Sequence, residues 1–75
     1  YRIPAYEVRV IDGATFVYIF DEGSARLREV SILWEANGYY IISDSYESPS
    51  ENPVLKLNDL IIIGEKNLYD GKIIN

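Results

Sequence analysis

The sequence predicts an all-β fold: a small roll or partial barrel of about six or seven short, mostly antiparallel strands. The β-branched and aromatic residue types Ile, Val, Thr, Tyr, Phe and Trp fill more than a third of the 75 positions, whereas Met is absent. Such side chains suit pleated, half-buried surfaces. Short apolar runs also alternate with glycine-containing turn pairs, which is the spacing typical of an all-β domain.

The first half of the chain reads as a series of strands. Residues 6–10 alternate apolar and charged side chains, which predicts a strand with one solvent-exposed face. Residues 14–20 are apolar on both faces and predict the central strand. The run at 25–34 reverses its alternation midway, so we expect a bulge near Arg28 and Glu29 that keeps both halves, Trp34 included, on the core side.

The second half begins with the strongest hairpin signal, the Asn-Gly pair at 37–38, which leads into a strand at 39–43. Residues 44–53 are polar and contain two prolines, which predicts a surface loop. A short extended run at 54–57, a buried strand at 60–63 and a last short strand at 72–74 complete the series.

Several residues are interpreted as turn formers without chemical function. Asp59 and Asp70 are expected to bond nearby backbone N–H groups through their carboxylates. The glycines are expected at positive φ, where only glycine has no steric penalty: Gly13, Gly23, Gly38, Gly64 and Gly71.

Length and composition predict a single non-enzymatic domain over residues 1–75. The chain contains neither Cys nor His, which excludes disulfides, Cys/His zinc sites, Ser-His triads and thiol nucleophiles. No catalytic residue and no cofactor are therefore expected. Asp44, Glu47 and Glu51 could offer oxygen ligands to Ca²⁺, but they match no EF-hand spacing, so we favour a solvated loop and predict no metal site.

The charge balance argues against nucleic acid as a partner. Twelve acidic residues against seven basic ones give a net charge of −5, and the basic residues form no stripe. No apolar run reaches the length of a membrane-spanning helix. Because the chain opens on Tyr rather than Met, we expect an excised part of a longer protein, itself soluble.

The order of five segments resembles a known family. Ile3 and Pro4 precede FVYIF at 16–20, RLREV at 26–30, LNDLII at 57–62 and LYDGKI at 68–73. This order is similar to the membrane-proximal domain of periplasmic adaptor proteins, the membrane fusion proteins of the HlyD/AcrA kind. Asn58 stands where that family has the second glycine of a turn, so we expect Asn58 in a left-handed conformation.

The resemblance implies an extracytoplasmic adaptor module that couples a membrane transporter to export or efflux. It implies a membrane-anchored parent protein on the extracytoplasmic face of the cell membrane, in contact with a transporter subunit and with other copies of the adaptor. In the family, an earlier segment completes this domain, so an uncovered edge is expected to pair with a second copy. The candidate partner contact is the 44–53 loop, with Tyr46, Glu47 and Glu51. The alternative is a small binding module of the SH3-like or OB kind for peptide, glycan or nucleic acid.

Overall fold

The computed structural model describes residues 2–74, so positions 1 and 75 of the predicted domain lie outside the described residues. Over the described residues, strands make up 47% of the structure and form antiparallel sheets of seven short strands without a closed barrel, which confirms the predicted fold class. A 3₁₀ turn at Ala5–Glu7 follows the first strand. The strands are β1 (Arg2–Pro4), β2 (Arg9–Ile11), β3 (Ala14–Asp21), β4 (Ser24–Val30), β5 (Ile32–Ala36), β6 (Tyr39–Ile42) and β7 (Leu60–Ile61).

Three tight hairpins organise the first half of the chain. They join β2 to β3, β3 to β4 and β5 to β6, each through a two-residue loop. In each loop both residues have positive φ, as a type I′ turn requires. This turn type is favoured because its twist matches the right-handed twist of the flanking strands. The loops are Asp12 and Gly13 (φ 51° and 82°), Glu22 and Gly23 (49° and 85°), and Asn37 and Gly38 (51° and 81°).

β3 is the centre of the larger sheet, as the sequence predicts. One side of β3 pairs with β4 from Thr15 to Asp21. Its other side pairs with β2 and then with the short β7. Three consecutive residues, Val17, Tyr18 and Ile19, are buried, so both faces of this strand are covered.

A second sheet, in the order β1-β6-β5, shares one core with the first. The chain passes between the sheets at Ser31, whose carbonyl accepts a hydrogen bond from the Ser43 N–H at 2.9 Å. The core draws side chains from both sheets and from one loop residue: Ile3, Val17, Ile19, Val30, Ile42 and Leu55.

The bulge predicted near Arg28 and Glu29 is wrong. β4 pairs with β3 without interruption from Ser24 to Val30. The run at 25–34 instead divides into two strands, with Ser31 between them. Val30 and Ile32 both contact the core from the same parity, whereas Ala25 and Leu27 lie on the opposite face of β4, which accounts for the break in the alternation. The register shift lies between Ile32 and Trp34. Trp34, predicted on the core side, is 58% exposed.

The two ends of the predicted strand series also differ from the structure. Residues 6–7 belong to the 3₁₀ turn, so the first predicted strand is reduced to Arg9–Ile11. The strand predicted at 60–63 is present but shorter, since β7 covers Leu60–Ile61 and one further bond to β3 comes from the Ile62 N–H. Its predicted burial is wrong, because Leu60 and Ile63 are mostly exposed.

The predicted runs at 54–57 and 72–74 are single bridges rather than strands. Val54 pairs with Glu29, and Ile73 pairs with Ser24. Asn58, expected in a left-handed conformation, is not among the residues with positive φ.

The turn beside Asn58 is closed by Asp59 instead. The Asp59 N–H donates to the Lys56 carbonyl at 3.0 Å, and Asp59 Oδ2 accepts from the Lys56 N–H at 2.8 Å. This reciprocal pair needs no positive φ at Asn58.

Truncation of Ile42 tests whether the two sheets share one hydrophobic core. Ile42 is 2% exposed and belongs to the core that both sheets share. We expect Ile42→Ala to lower the free energy of unfolding by about 2–5 kcal/mol, and Ile42→Val by about 0.5–1.5 kcal/mol, measured by urea denaturation. Ile63→Ala, at a side chain 54% exposed, is the control and should change it by about 0.5 kcal/mol or less. Equal losses of stability at the two positions would contradict the assignment of Ile42 to the core.

Candidate functional site: the anchored loop at residues 44–53

The loop at 44–53 lies against β4, whose outer edge is fully occupied. In a hairpin closed by a two-residue turn, alternate residues point their N–H and C=O groups outward. In β4 these are Ala25, Leu27 and Glu29. Their six groups all have partners: Ala25 N–H with Lys72 O, Ala25 O with Gly71 N–H, Leu27 N–H with Asp70 Oδ1, Leu27 O with Arg28 Nη1, Glu29 N–H with Pro53 O, and Glu29 O with Leu55 N–H.

The Glu29 side chain fixes the loop to this edge. Glu29 is 3% exposed and its carboxylate accepts three hydrogen bonds from loop side chains. The Tyr46 hydroxyl donates to Oε2 at 2.5 Å, while Ser48 Oγ and Asn52 Nδ2 each donate to Oε1 at 2.8 Å. A buried carboxylate requires such donors, because desolvation without them is costly.

These contacts set the protonation of the cluster. The hydrogen bond from Tyr46, followed by that from Asn52, holds the pKa of Glu29 below its usual value of 4.5, and their effect exceeds the opposing effect of burial. The same bond raises the pKa of Tyr46 above 10.0, since the proton it donates is held by the carboxylate. The carboxylate and the phenol therefore form one ionised acceptor with one neutral donor.

The three candidate contact residues have different surroundings. Tyr46 is half-buried, and its hydroxyl is committed to Glu29. Glu47 and Glu51 are exposed, and Glu51 adopts a φ of 60°. The loop thus faces inward through Tyr46 and presents two carboxylates to solvent.

Sequence reasoning missed Glu29 as the anchor of this loop. The signal that could have identified it is parity: Glu29 falls on the same face of its strand as Ala25 and Leu27. An acid at an apolar position of a strand needs a buried partner. Its donors, 17 to 23 residues further along the chain, carry no such signal.

Two open depressions adjoin the loop. One, of about 370 Å³, is bordered by Glu29, Tyr46 and the hairpin at Gly13. Three side chains donate to the Glu29 carboxylate that borders it, two of them to Oε1 and one to Oε2.

The other depression, of about 520 Å³, lies beside Leu27 and Pro53. Its charges are paired, since Arg28 lies 3.7 Å from Asp21 and Arg26 lies 3.9 Å from Asp70.

The remaining sites named from the sequence serve as structural contacts. The Asp70 carboxylate bonds a backbone N–H, as expected, but that of Leu27, 43 residues away rather than nearby. Gly64 and Gly71 have positive φ, and the Gly64 N–H donates to the buried Glu7 at 2.6 Å. Within residues 2–74, no group of three or more acidic side chains is arranged to hold a metal ion.

Two further observations bear on function. Across the described part of the chain, no helix has the length and apolar character to cross a membrane. No protein-family model matches the chain, and no curated protein matches it.

The lowered pKa of Glu29 predicts a pH-dependent contribution to stability. Because the unfolded state binds the proton more readily, the contribution is complete above about pH 4.5 and declines as the pH falls through the pKa of the folded state. We expect the free energy of unfolding, followed by urea denaturation from pH 7 to pH 3, to fall less steeply in Glu29→Gln than in the native chain. Glu47→Gln, at an exposed carboxylate, is the control, and parallel curves for Glu29→Gln and the native chain would contradict the anchor.

The raised pKa of Tyr46 predicts a contribution to stability that is lost at alkaline pH. The folded state holds this proton more tightly, so the contribution is present below about pH 10 and disappears as the pH rises through the pKa of the folded state. We expect Tyr46→Phe to lose this alkaline dependence while destabilising the protein at neutral pH. Tyr69→Phe, at an exposed ring, should leave both properties unchanged.

Proposed function

We propose that this chain is a non-enzymatic protein-interaction module, the membrane-proximal part of an extracytoplasmic adaptor that couples a membrane transporter to export. The observation that carries the interaction role is the anchored loop at 44–53. Three hydrogen bonds to a buried carboxylate hold it in place, and two exposed carboxylates project from it. The adaptor assignment rests on the order of the five segments that resemble that family.

A fixed loop suits recognition of a partner. Ordering a mobile loop on binding costs free energy, and a loop already held by the fold avoids most of that cost. Loops also carry binding more often than paired strands, whose backbone groups are already committed. Glu47 and Glu51 are free to meet basic groups, so the partner surface we propose is a basic extracytoplasmic face of a transporter subunit.

The other function considered is a small binding module for peptide, glycan or nucleic acid. The exposed Trp34 on an uncovered strand favours the peptide version of this function. The net charge of −5 opposes the nucleic-acid version.

Charge reversal on the loop tests the adaptor proposal. In the protein that carries this domain, expressed in its source cells, we expect Glu47→Lys with Glu51→Lys to reduce transporter co-purification at least tenfold, because two attractive contacts become repulsive. The matched control is Glu65→Lys with Glu22→Lys, which changes the charge equally and also includes one residue at positive φ. Equal effects of the two double variants, or no effect of either, would contradict the loop as the contact.

Site-specific crosslinking identifies the partner. A photoreactive residue at position 47 is expected to crosslink to a membrane transporter subunit, and the same residue at position 65 is not. A crosslink from position 47 to a protein outside the membrane would overturn the adaptor proposal and favour the other binding module.

Nucleic-acid binding is expected to be absent. Labelled single- and double-stranded oligonucleotides should show no change in anisotropy with this domain at physiological salt, since its net charge repels a polyanion. Micromolar binding that weakens with added salt would contradict this expectation.

A further inference from the structure

The two sheets end in very different edges. The outer edge of β4 has all six of its outward backbone groups bonded. In the described part of the chain, β5, at the end of the smaller sheet, pairs only with β6. Among residues 2–74, no backbone group of β5 bonds outside that pairing. The smaller sheet therefore ends in an open strand, which can accept another strand.

The hairpin geometry determines which groups this edge offers. Ala36 and Tyr39 flank the two-residue turn, so they form a hydrogen-bonded pair and Glu35, opposite Tyr40, does not. The N–H and C=O of Glu35 consequently point away from β6. The register shift at Leu33 interrupts the ladder, so the regular part of the open edge is short.

Side chains beside this edge add an apolar contact. Leu33 is 56% exposed and Trp34 is 58% exposed, although both are large and apolar. Trp is among the residues most enriched at energetically important contacts. The two outward backbone groups of Glu35 together with these two side chains are the kind of surface to which an extended segment can add.

The negative charge at this edge favours a basic segment as the added strand. Glu35 is exposed at the centre of the regular edge, in a domain with a net charge of −5. A symmetric antiparallel pair of two copies, centred on the outward-bonding Glu35, would place this carboxylate opposite its own copy, and like charges directly opposite are destabilising. A lysine or arginine at that position is favourable instead.

We infer that the edge of β5 binds an extended, basic and apolar segment of another protein as an added strand. This site is separate from the 44–53 loop, so the inference does not depend on the proposed function.

Fluorescence gives a direct test, because Trp34 is the only tryptophan of the chain. The probe is a blocked peptide of alternating valine and lysine, added to the domain at low ionic strength. We expect a saturable change in Trp34 emission. A peptide with glutamate in place of lysine should bind at least tenfold more weakly. A valine-lysine peptide with N-methylated backbone amides should bind as weakly, because it cannot complete the ladder.

Variants of the domain locate the site. Glu35→Lys is expected to weaken the valine-lysine peptide at least tenfold and to strengthen the glutamate peptide. Glu35→Pro removes an outward N–H without breaking a bond to β6, and should also weaken binding. The matched control is Val10→Pro on the short open edge of β2, where the residue holds the same outward position, and it should leave binding unchanged.

Each contrary result overturns the inference. These are the absence of an emission change, equal binding of the N-methylated peptide, and equal effects of Glu35→Pro and Val10→Pro. Sedimentation tests the alternative that a second copy of the chain occupies this edge. A dimer that Glu35→Pro abolishes and that the peptide cannot displace would show that alternative and overturn the inference.

Discussion

The buried carboxylate of Glu29 is the contact on which the structure of the second half of the chain depends. The backbone of Glu29 is hydrogen-bonded to Pro53 and Leu55, and its carboxylate accepts hydrogen bonds from three side chains of the 44–53 loop. Buried without these donors, the charge would be strongly destabilising, and without the charge the loop would lose its anchor. The fold of the sheet and the position of the loop therefore stabilise each other.

Carboxylates perform similar tasks elsewhere in the domain. Glu7 accepts from the Gly64 N–H, Asp59 from Lys56 and Asp70 from Leu27, so four of the twelve acidic side chains bind loop or edge donors. A small domain has few strands with which to satisfy its irregular segments, and its backbone N–H groups must still be bonded. Acidic side chains supply acceptors where no strand is available.

This use of side chains produces two unequal edges. Later segments of the chain bond five of the six outward backbone groups of β4, and the Arg28 side chain bonds the sixth, so this edge offers no place for another strand to pair. Nothing in the described chain covers β5 in the same way, and its register shift only shortens the open part. The two surfaces to which we assign interactions, the 44–53 loop and the β5 edge, follow from that division. One is fixed by a buried charge and the other is left with unpaired backbone groups.

The sequence by itself determined the fold class, the central strand and the three hairpins. These features depend on local preferences: the alternation of side chains and the ability of Gly38 and Asn37 to adopt positive φ. Only the tertiary structure decided which donors reach the buried acids, where the chain changes sheets and which edge is covered. Those outcomes depend on contacts between residues as much as 43 or 57 positions apart, as in the bonds of Asp70 and Glu7. Local alternation carries no information about such pairs, because a carboxylate looks the same in sequence whether its donors come from water or from a distant loop.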